Sequence, residues 1–410
     1  MTEVFTPARL GPITLRNRVI KAATFEGRTP DALVTAELIA FHREVAAGGV
    51  GMTTVAYCAV APGGRTDRHQ IWMRPDAVPG LRRLTDAVHA EGAAACAQIG
   101  HAGPVANAAS NRLPALAPSP MFSPLGMQKM QVPDEAQLRE LIAAHANAAR
   151  LAEQSGFDAV EIHFGHNYLT SSFLSPLLNR RKDRYGGALE NRARLAREVA
   201  AAVAEAVGGR LAVTAKLNME DGVRGGLTVP ESLRVAAWLQ DDGHLDALEL
   251  TAGSSLLNPM LLFHGAAPRR SFAKTLPTPA RLGFRAMGRV FLKEYPYQEA
   301  YLLERARQFR RELTMPLILL GGITNLDTMQ QAMAEGFDFV AMGRALLREP
   351  NLLRRIQADA GFRSACIHCN ECMPTIYSGT RCVYRLAVPQ AEAGTAAPRK
   401  ASRSATKRSG

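Results

Sequence analysis

Eight short runs of consecutive apolar residues, each followed by a longer stretch of helical character, constrain this chain more than any other feature. The runs are Val19–Ala23, Gly51–Cys58, Ala93–Gln98, Ala159–His163, Leu211–Lys216, Ala247–Thr251, Leu317–Gly321 and Phe339–Met342. They are continuous rather than alternating, as expected of parallel strands buried on both faces. Between them the pattern predicts helices such as Thr35–Ala47, Val78–Ala90, Asp134–Gln154, Glu190–Val207 and Pro230–Gln240. Thr35 and Pro133-Asp134 read as helix starts, and Gly48, Gly92 and Gly156 as helix stops. Eight such units predict an α/β fold of the (β/α)8 TIM barrel type over residues 1–360. A doubly wound open sheet seldom needs this many units, and no G-x-G-x-x-G follows any strand.

Composition narrows the function classes. With 47% hydrophobic and 21% charged residues, the chain reads as a globular enzyme with a large core. No run of eighteen apolar residues occurs, so no membrane span is expected. The opening MTEVFTPARL lacks a basic segment followed by an apolar one, which makes the cytoplasm the expected address. The formal charge is +12, but five Lys or Arg and no acid fall in the last stretch from Ala397 on. Residues 388–410 therefore read as a disordered basic tail. The remaining cations are scattered, so no nucleic-acid partner is expected.

Catalytic groups of such barrels come from the C-terminal ends of the strands. That rule nominates Ala23-Thr24, Cys58, Gln98, His163, Lys216, Thr251, Gly321-Gly322 and Gly343-Arg344. The densest signal is E161-I-H163-F-G-H166-N-Y168. Two imidazoles there suit metal ligation, acid–base work or neutral donation to a carbonyl, and a satisfied core pair is the structural alternative. Gly321-Gly322 and Gly343-Arg344 follow strands seven and eight, where barrels often hold a phosphate. Tight turns alone would also use those glycines. Gln98 and Lys216 end apolar strands, where an amide and a cation suit the pyrimidine edge and the N1–O2 region of a flavin; for Lys216 the alternative is a core salt bridge. Two long loops, Gly100–Gln131 and Gly253–Pro296, are expected to project over the mouth.

Four of the six cysteines, Cys366, Cys369, Cys372 and Cys382, cluster in residues 361–387, a Cys-rich extension. In a reducing compartment this pattern points to zinc or an iron–sulfur cluster before disulfides, with four free thiols as the alternative.

The residues V4-F-T-P-A-R-L-G-P-I-T-L-R-N17-R18-V-I-K-A resemble the opening of old yellow enzymes and of 2,4-dienoyl-CoA reductases. F173-L-S-P-L-L-N179 through R-Y185-G-G187-A-L-E-N191-R192 is similar too, as are Q98-I-G-H101-A-G103 and G321-G-I through G343-R344. The resemblance covers roughly residues 3–385. It implies one FMN at the mouth, NAD(P)H as reductant, and an electron-poor alkene, an enone for example, as the small-molecule acceptor. His163 and His166 would then hold the acceptor carbonyl and Tyr168 would supply the proton. Ala23, Thr24 and Tyr57 would meet the flavin through the backbone, Gln98 its pyrimidine edge and Lys216 its N1–O2 region. Gly322, Gly343 and Arg344 would hold the phosphate, and the four cysteines correspond to a region that carries a [4Fe–4S] cluster in longer relatives. An electron-transfer subunit and a non-catalytic flavin- or metal-binding scaffold are the alternatives, and a homo-oligomer is compatible with all three. The chain departs from the family pattern at Phe25, at Pro104 in His101-Ala-Gly-Pro104, at Lys216 where relatives carry Arg, and in the C-x2-C-x2-C-x9-C spacing.

Overall fold

All eight expected strands form, each within two residues of its predicted ends: β1 Val19–Lys21, β2 Met52–Ala59, β3 Ala94–Gly100, β4 Ala159–Phe164, β5 Ala212–Asn218, β6 Ala247–Thr251, β7 Leu317–Leu320 and β8 Phe339–Met342. They close into one barrel of parallel strands, with β8 paired to β1. The structure is a computed structural model and describes residues 3–385 apart from 124–126, 277 and 377. Helices α1 Ala36–Ala47, α2 Val78–His89, α3 Glu135–Gln154, α4 Leu189–Val207, α5 Val229–Asp242, α6 Leu303–Glu312, α7 Leu326–Ala334 and α8 Leu352–Ala358 surround it. Thr35 caps α1 by accepting from the Leu38 N–H, and Asp134 forms a reciprocal capping box with Gln137 at α3. The expected stop at Gly48 has a twist: Gly48 itself stays helical, and Gly49 takes the left-handed turn at φ +107.

The interior is layered because alternate strand residues point inward. At one end Ile20, Met52, Cys96, Ala159, Ala212, Ala247, Ile318 and Phe339 form an apolar plug. A hairpin of Ala8–Leu10 and Ile13–Leu15 seals it with Leu10 and Leu15. Two residues further along the same strands stand Gln98, Glu161, Thr214 and Glu249, all buried. The barrel is thus dry and apolar at one end and polar at the end where its strands finish. Only the polar end can host chemistry.

The segment Gly253–Pro296 is not the open loop expected. It holds helices Arg269–Thr275 and Thr278–Phe291, joined by Phe272 packing on Phe284 and Phe291 at centroid distances of 5.3 and 6.2 Å. Pro268 stands at the cap just before the first of these helices, where proline is tolerated. Gly100–Gln131 likewise contains a one-turn helix, Ala108–Asn111, and a small hairpin of Phe122–Ser123 with Gln128–Lys129.

The cysteine segment lies against the mouth as a strap. The Thr380 N–H donates to Glu26 O at 2.8 Å, the Asn370 amide to Phe263 O and Ala266 O at 2.7 and 3.0 Å, and Ser364 Oγ to Glu349 at 2.7 Å. Gly27, at φ +60, fits under it only because it has no side chain: an added Cβ would run into the carbonyl oxygen of Ile376. Gly27→Ala is therefore expected to lower stability by roughly 2–3 kcal/mol. It should also speed alkylation of the half-buried Cys372 thiol, and an unchanged labelling rate would separate the strap from the barrel. The basic tail expected at 388–410 and the last residues of the 361–387 extension lie outside the described residues.

Candidate active site at the barrel mouth

Strand β4 ends at Phe164, and the following turn returns His166 beside His163 because His166 and Asn167 both take left-handed backbone conformations, φ +58 each. The Gly165 N–H donates to His163 Nδ1 at 3.1 Å, which leaves the proton of a neutral ring on Nε2. That Nε2 faces His166 Nδ1 at 3.4 Å, and His166 Nε2 then donates to Thr251 Oγ1 at 2.9 Å. The Tyr168 ring stacks on His163 at 4.2 Å and 11°, and Tyr57 stands edge-on to Tyr168 at 5.4 Å. Burial, then the neighbouring His166 and Lys216, push the His163 pKa well below its usual value. Burial and Lys216 take His166 down to about 3. Both rings are neutral near pH 7 and present N–H donors rather than charges. Metal ligation, one of the sequence alternatives, finds no support: among the described residues no three or more His, Cys, Asp or Glu are grouped to hold a metal ion.

The motif His101-Ala-Gly-Pro104 supports this turn. The Leu169 N–H donates to His101 O at 2.9 Å, and Gly103, φ +56, lies so close to Leu169 that a Cβ would approach its backbone to 2.6 Å. The Asn179 and Arg192 motif has a structural task. Asn179 Nδ2 donates to Phe173 O and Tyr185 O at 2.8 and 2.7 Å, and Arg192 pairs with Glu231 at 2.6 Å.

Gln98 and Lys216 meet on a partner that sequence reasoning left unplaced, Glu161. Gln98 Nε2 donates to Glu161 Oε1 at 2.6 Å, and Lys216 Nζ lies 3.3 Å from Glu161 Oε2 and against Glu249. All four side chains are buried. Burial and the adjacent Glu161 push Glu249 up to about 8, so near pH 7 it is largely protonated and Lys216 answers mainly to Glu161. The register sets His163 opposite Lys216 and Gln98 opposite Glu161, so this layer forms the floor beneath the histidines. The core salt bridge weighed for Lys216 is present.

A second buried polar group went unread in the sequence. Lys21 Nζ and Glu26 Oε1 are 2.7 Å apart, the Ala56 N–H donates to Glu26 Oε2 at 2.8 Å, and Thr24 Oγ1 donates to Oε1 at 3.2 Å. Burial alone would raise the Glu26 pKa, but Lys21 and His42 outweigh it and hold it at about 2 against an ordinary 4.5. A depressed carboxylate stabilises the fold above its unfolded pKa and loses that contribution as pH falls through the folded value. Glu26 should thus contribute roughly 3 kcal/mol that disappears between about pH 4.5 and 2. Denaturant titrations across that window should show Glu26→Gln less stable at neutral pH and flatter in acid; parallel curves would remove this pair from the acid limb.

On the other side of the mouth, β7 and β8 pair Leu320 with Ala341, so the Gly321-Gly322 and Gly343-Arg344 turns leave adjacent strands together. Gly321 and Gly322 both have positive φ, +101 and +75. A Cβ on Gly322 would stand 2.8–2.9 Å from Tyr301, Ala300 and Gln298, so close packing as well as turn geometry demands glycine there. Met342 pairs with Lys21, which brings Ala23 and Thr24 beside these turns; Thr24 Cγ2 is 3.5 Å from where a Gly343 Cβ would lie. Arg344 Nη1 donates to His264 O at 2.8 Å and to Asn370 Oδ1 of the strap. Arg344 also lines a cavity of about 210 Å³ into which all four strap cysteines converge. All six cysteines are free thiols, and burial raises Cys372 to about 12. Cys58, nominated by its place near the end of β2, is a buried thiol also raised to about 12, first by burial and then by Glu26.

The turns at Gly321-Gly322 and Gly343-Arg344, the buried Gln98 and Lys216, and the neutral histidine pair beside Tyr168 thus all stand at the end of the barrel where its strands finish. Known proteins are similar to this chain in sequence or in fold. The chain is 55% identical over 391 residues to the 4,4'-dithiodibutanoate disulfide reductase of Rhodococcus erythropolis, covering 95% of this chain and 97% of that protein. It superposes on 2-naphthoyl-CoA reductase with a TM-score of 0.79 at 24% identity, over 93% of this chain but 56% of the longer one. Morphinone reductase matches with a TM-score of 0.67 at 25% identity, over 88% of this chain and 92% of that one. A family model of dihydrouridine synthases matches residues 288–380. The model described as the NADH:flavin oxidoreductase / NADH oxidase family matches residues 3–252, the stretch that runs from the hairpin plug through the histidine pair to the end of β6. With that match and a full-length relative at 55% identity, the chain belongs to the NADH:flavin oxidoreductase family.

Proposed function

We propose that the protein is a cytoplasmic, FMN-dependent NAD(P)H oxidoreductase that reduces electron-poor C=C bonds conjugated to a carbonyl. The residues fit FMN by the chemistry of their donor set. Gly322, Gly343 and Arg344 offer a phosphate two adjacent turns and a cation, Ala23, Thr24 and Tyr57 border the ring site, and Gln98 and Lys216 supply its amide and ammonium partners. When bound, FMN supplies a ring nitrogen that takes hydride from NAD(P)H and passes it to an acceptor. The protein's own groups do the rest. The observation that carries the reading is the buried, neutral His163–His166 pair: its two N–H groups, which here face His166 Nδ1 and Thr251 Oγ1, would turn from those partners to an acceptor's carbonyl oxygen and stabilise the charge that develops there, as an oxyanion hole does. Tyr168, stacked on His163, would deliver the proton that completes C=C reduction.

A second acceptor class is favoured by the 55% identity to a disulfide reductase, namely linear disulfides, which take a hydride and a proton to give two thiols. Anaerobic mixing of NADPH-bleached protein with 2-cyclohexenone and, separately, 4,4'-dithiodibutanoate tests both. Fast return of the yellow colour with the enone supports the leading reading; return with the disulfide alone replaces it.

The four thiols line one cavity, and four thiolates there suit a [4Fe–4S] cluster, with zinc as the alternative. Cys366, Cys369, Cys372 and Cys382 would hold it. Iron and acid-labile sulfide in equal amounts after anaerobic purification support this; zinc or no metal contradicts it.

A further inference from the structure

A cavity of about 320 Å³ lies between the segment after β1 and the segment after β2, with Phe25, Arg28, Tyr57, Asp67 and His69 on its wall. Tyr57 is shared with the mouth: it lines this cavity, and its ring also stands edge-on to Tyr168 at 5.4 Å. The acids of this wall are engaged within the protein. Glu26 is held by Lys21 and the Ala56 N–H, and Asp67 accepts from Ser110 Oγ at 2.7 Å and from the His69 N–H at 3.0 Å.

Arg28 differs. Its Nη2 donates to Thr380 O at 3.1 Å and its guanidinium lies 5.3 Å from the centroid of Phe41, which fixes the group from two sides. Its Nε is buried and, among the described residues, has no hydrogen-bond partner. The carboxylate paired with it, Glu37, is 3.6 Å from Nη1 with a side chain 78% exposed, so water screens that pair. A guanidinium on a cavity wall, fixed from two sides and paired with an exposed, screened carboxylate, is suited to a planar anion, which its terminal N–H groups can grip.

We propose that Arg28 is a carboxylate anchor: an acceptor whose reducible bond sits at His163 and Tyr168 runs past Tyr57 and sets an anionic end against Arg28. This rests on the acceptor reading above and narrows it to linear carboxylates. The strap contributes directly, because Thr380 holds the guanidinium in place.

Isothermal titration of the FMN-loaded protein with octanedioate and with its dimethyl ester tests the anchor. Neither ligand is reducible, so the titration reads the site whether or not the acceptor reading holds. The dianion should bind about tenfold or more tighter than the ester. Arg28→Gln should bring the dianion down to the ester's affinity, and Arg28→Lys should fall between. Equal binding of dianion and ester by the unaltered protein, or unchanged dianion binding by Arg28→Gln, overturns the proposal. If Arg28→Gln does not fold, Arg28→Lys decides, and an affinity equal to that of the unaltered protein overturns it.

Discussion

Replacing His163 and His166 together by alanine is expected to slow acceptor reduction roughly 10³-fold while leaving bleaching by NADPH within a few-fold of normal. Removing a single preorganised donor from an oxyanion site costs about 10²–10³ in rate. The two rings form one hydrogen-bonded run ending on Thr251, so their losses should not add. Both are neutral because burial and Lys216 disfavour the charged form, so acceptor reduction by the unaltered protein should change little as the pH is lowered toward 5. Separate stopped-flow traces for the two half-reactions check this. Equal loss of both would place the pair in flavin or nucleotide binding rather than at the acceptor.

Lys216→Met should be the most destabilising single change in the barrel, at roughly 3–5 kcal/mol, because removing one partner of a buried ion pair leaves the other uncompensated. Glu161 and Glu249 lie against that ammonium, and neither has a route to solvent at 2% and 1% exposure. Replacing Glu249 by Gln as well should recover little, since Glu249 is already largely protonated near pH 7, whereas adding Glu161→Gln should recover most of the loss. Denaturant midpoints of the three variants give the answer. A Lys216→Met protein within about 1 kcal/mol of normal would mean that water reaches this layer.

The barrel was legible because buried parallel strands carry unbroken apolar runs, and that signal depends on no partner residue. Strand-end chemistry was legible for a related reason: a polar residue such as Gln98 or His163 closing an apolar run is costly unless it has a task. Pairings were not. Glu161 sits amid a strand and could be assigned only after Gln98 and Lys216 were brought to it from neighbouring strands. Lys21 and Glu26 are five residues apart, yet a turn after β1 separates them, and nothing local says that the acid folds inward. The helices Arg269–Thr275 and Thr278–Phe291 lie in a stretch between β6 and α6 that was read from its length alone. Arg344 was read as a phosphate ligand, and its contacts with His264 and Asn370 of the strap join two elements 80 and 26 residues away, beyond any local pattern.

The whole account depends on the flavin. Protein stripped of ligand and shown to be folded by circular dichroism should, on titration with FMN, turn yellow and saturate at one FMN per chain, with Arg344→Ala weakening uptake at least tenfold. A folded protein that stays colourless and takes up no FMN would contradict the central claim.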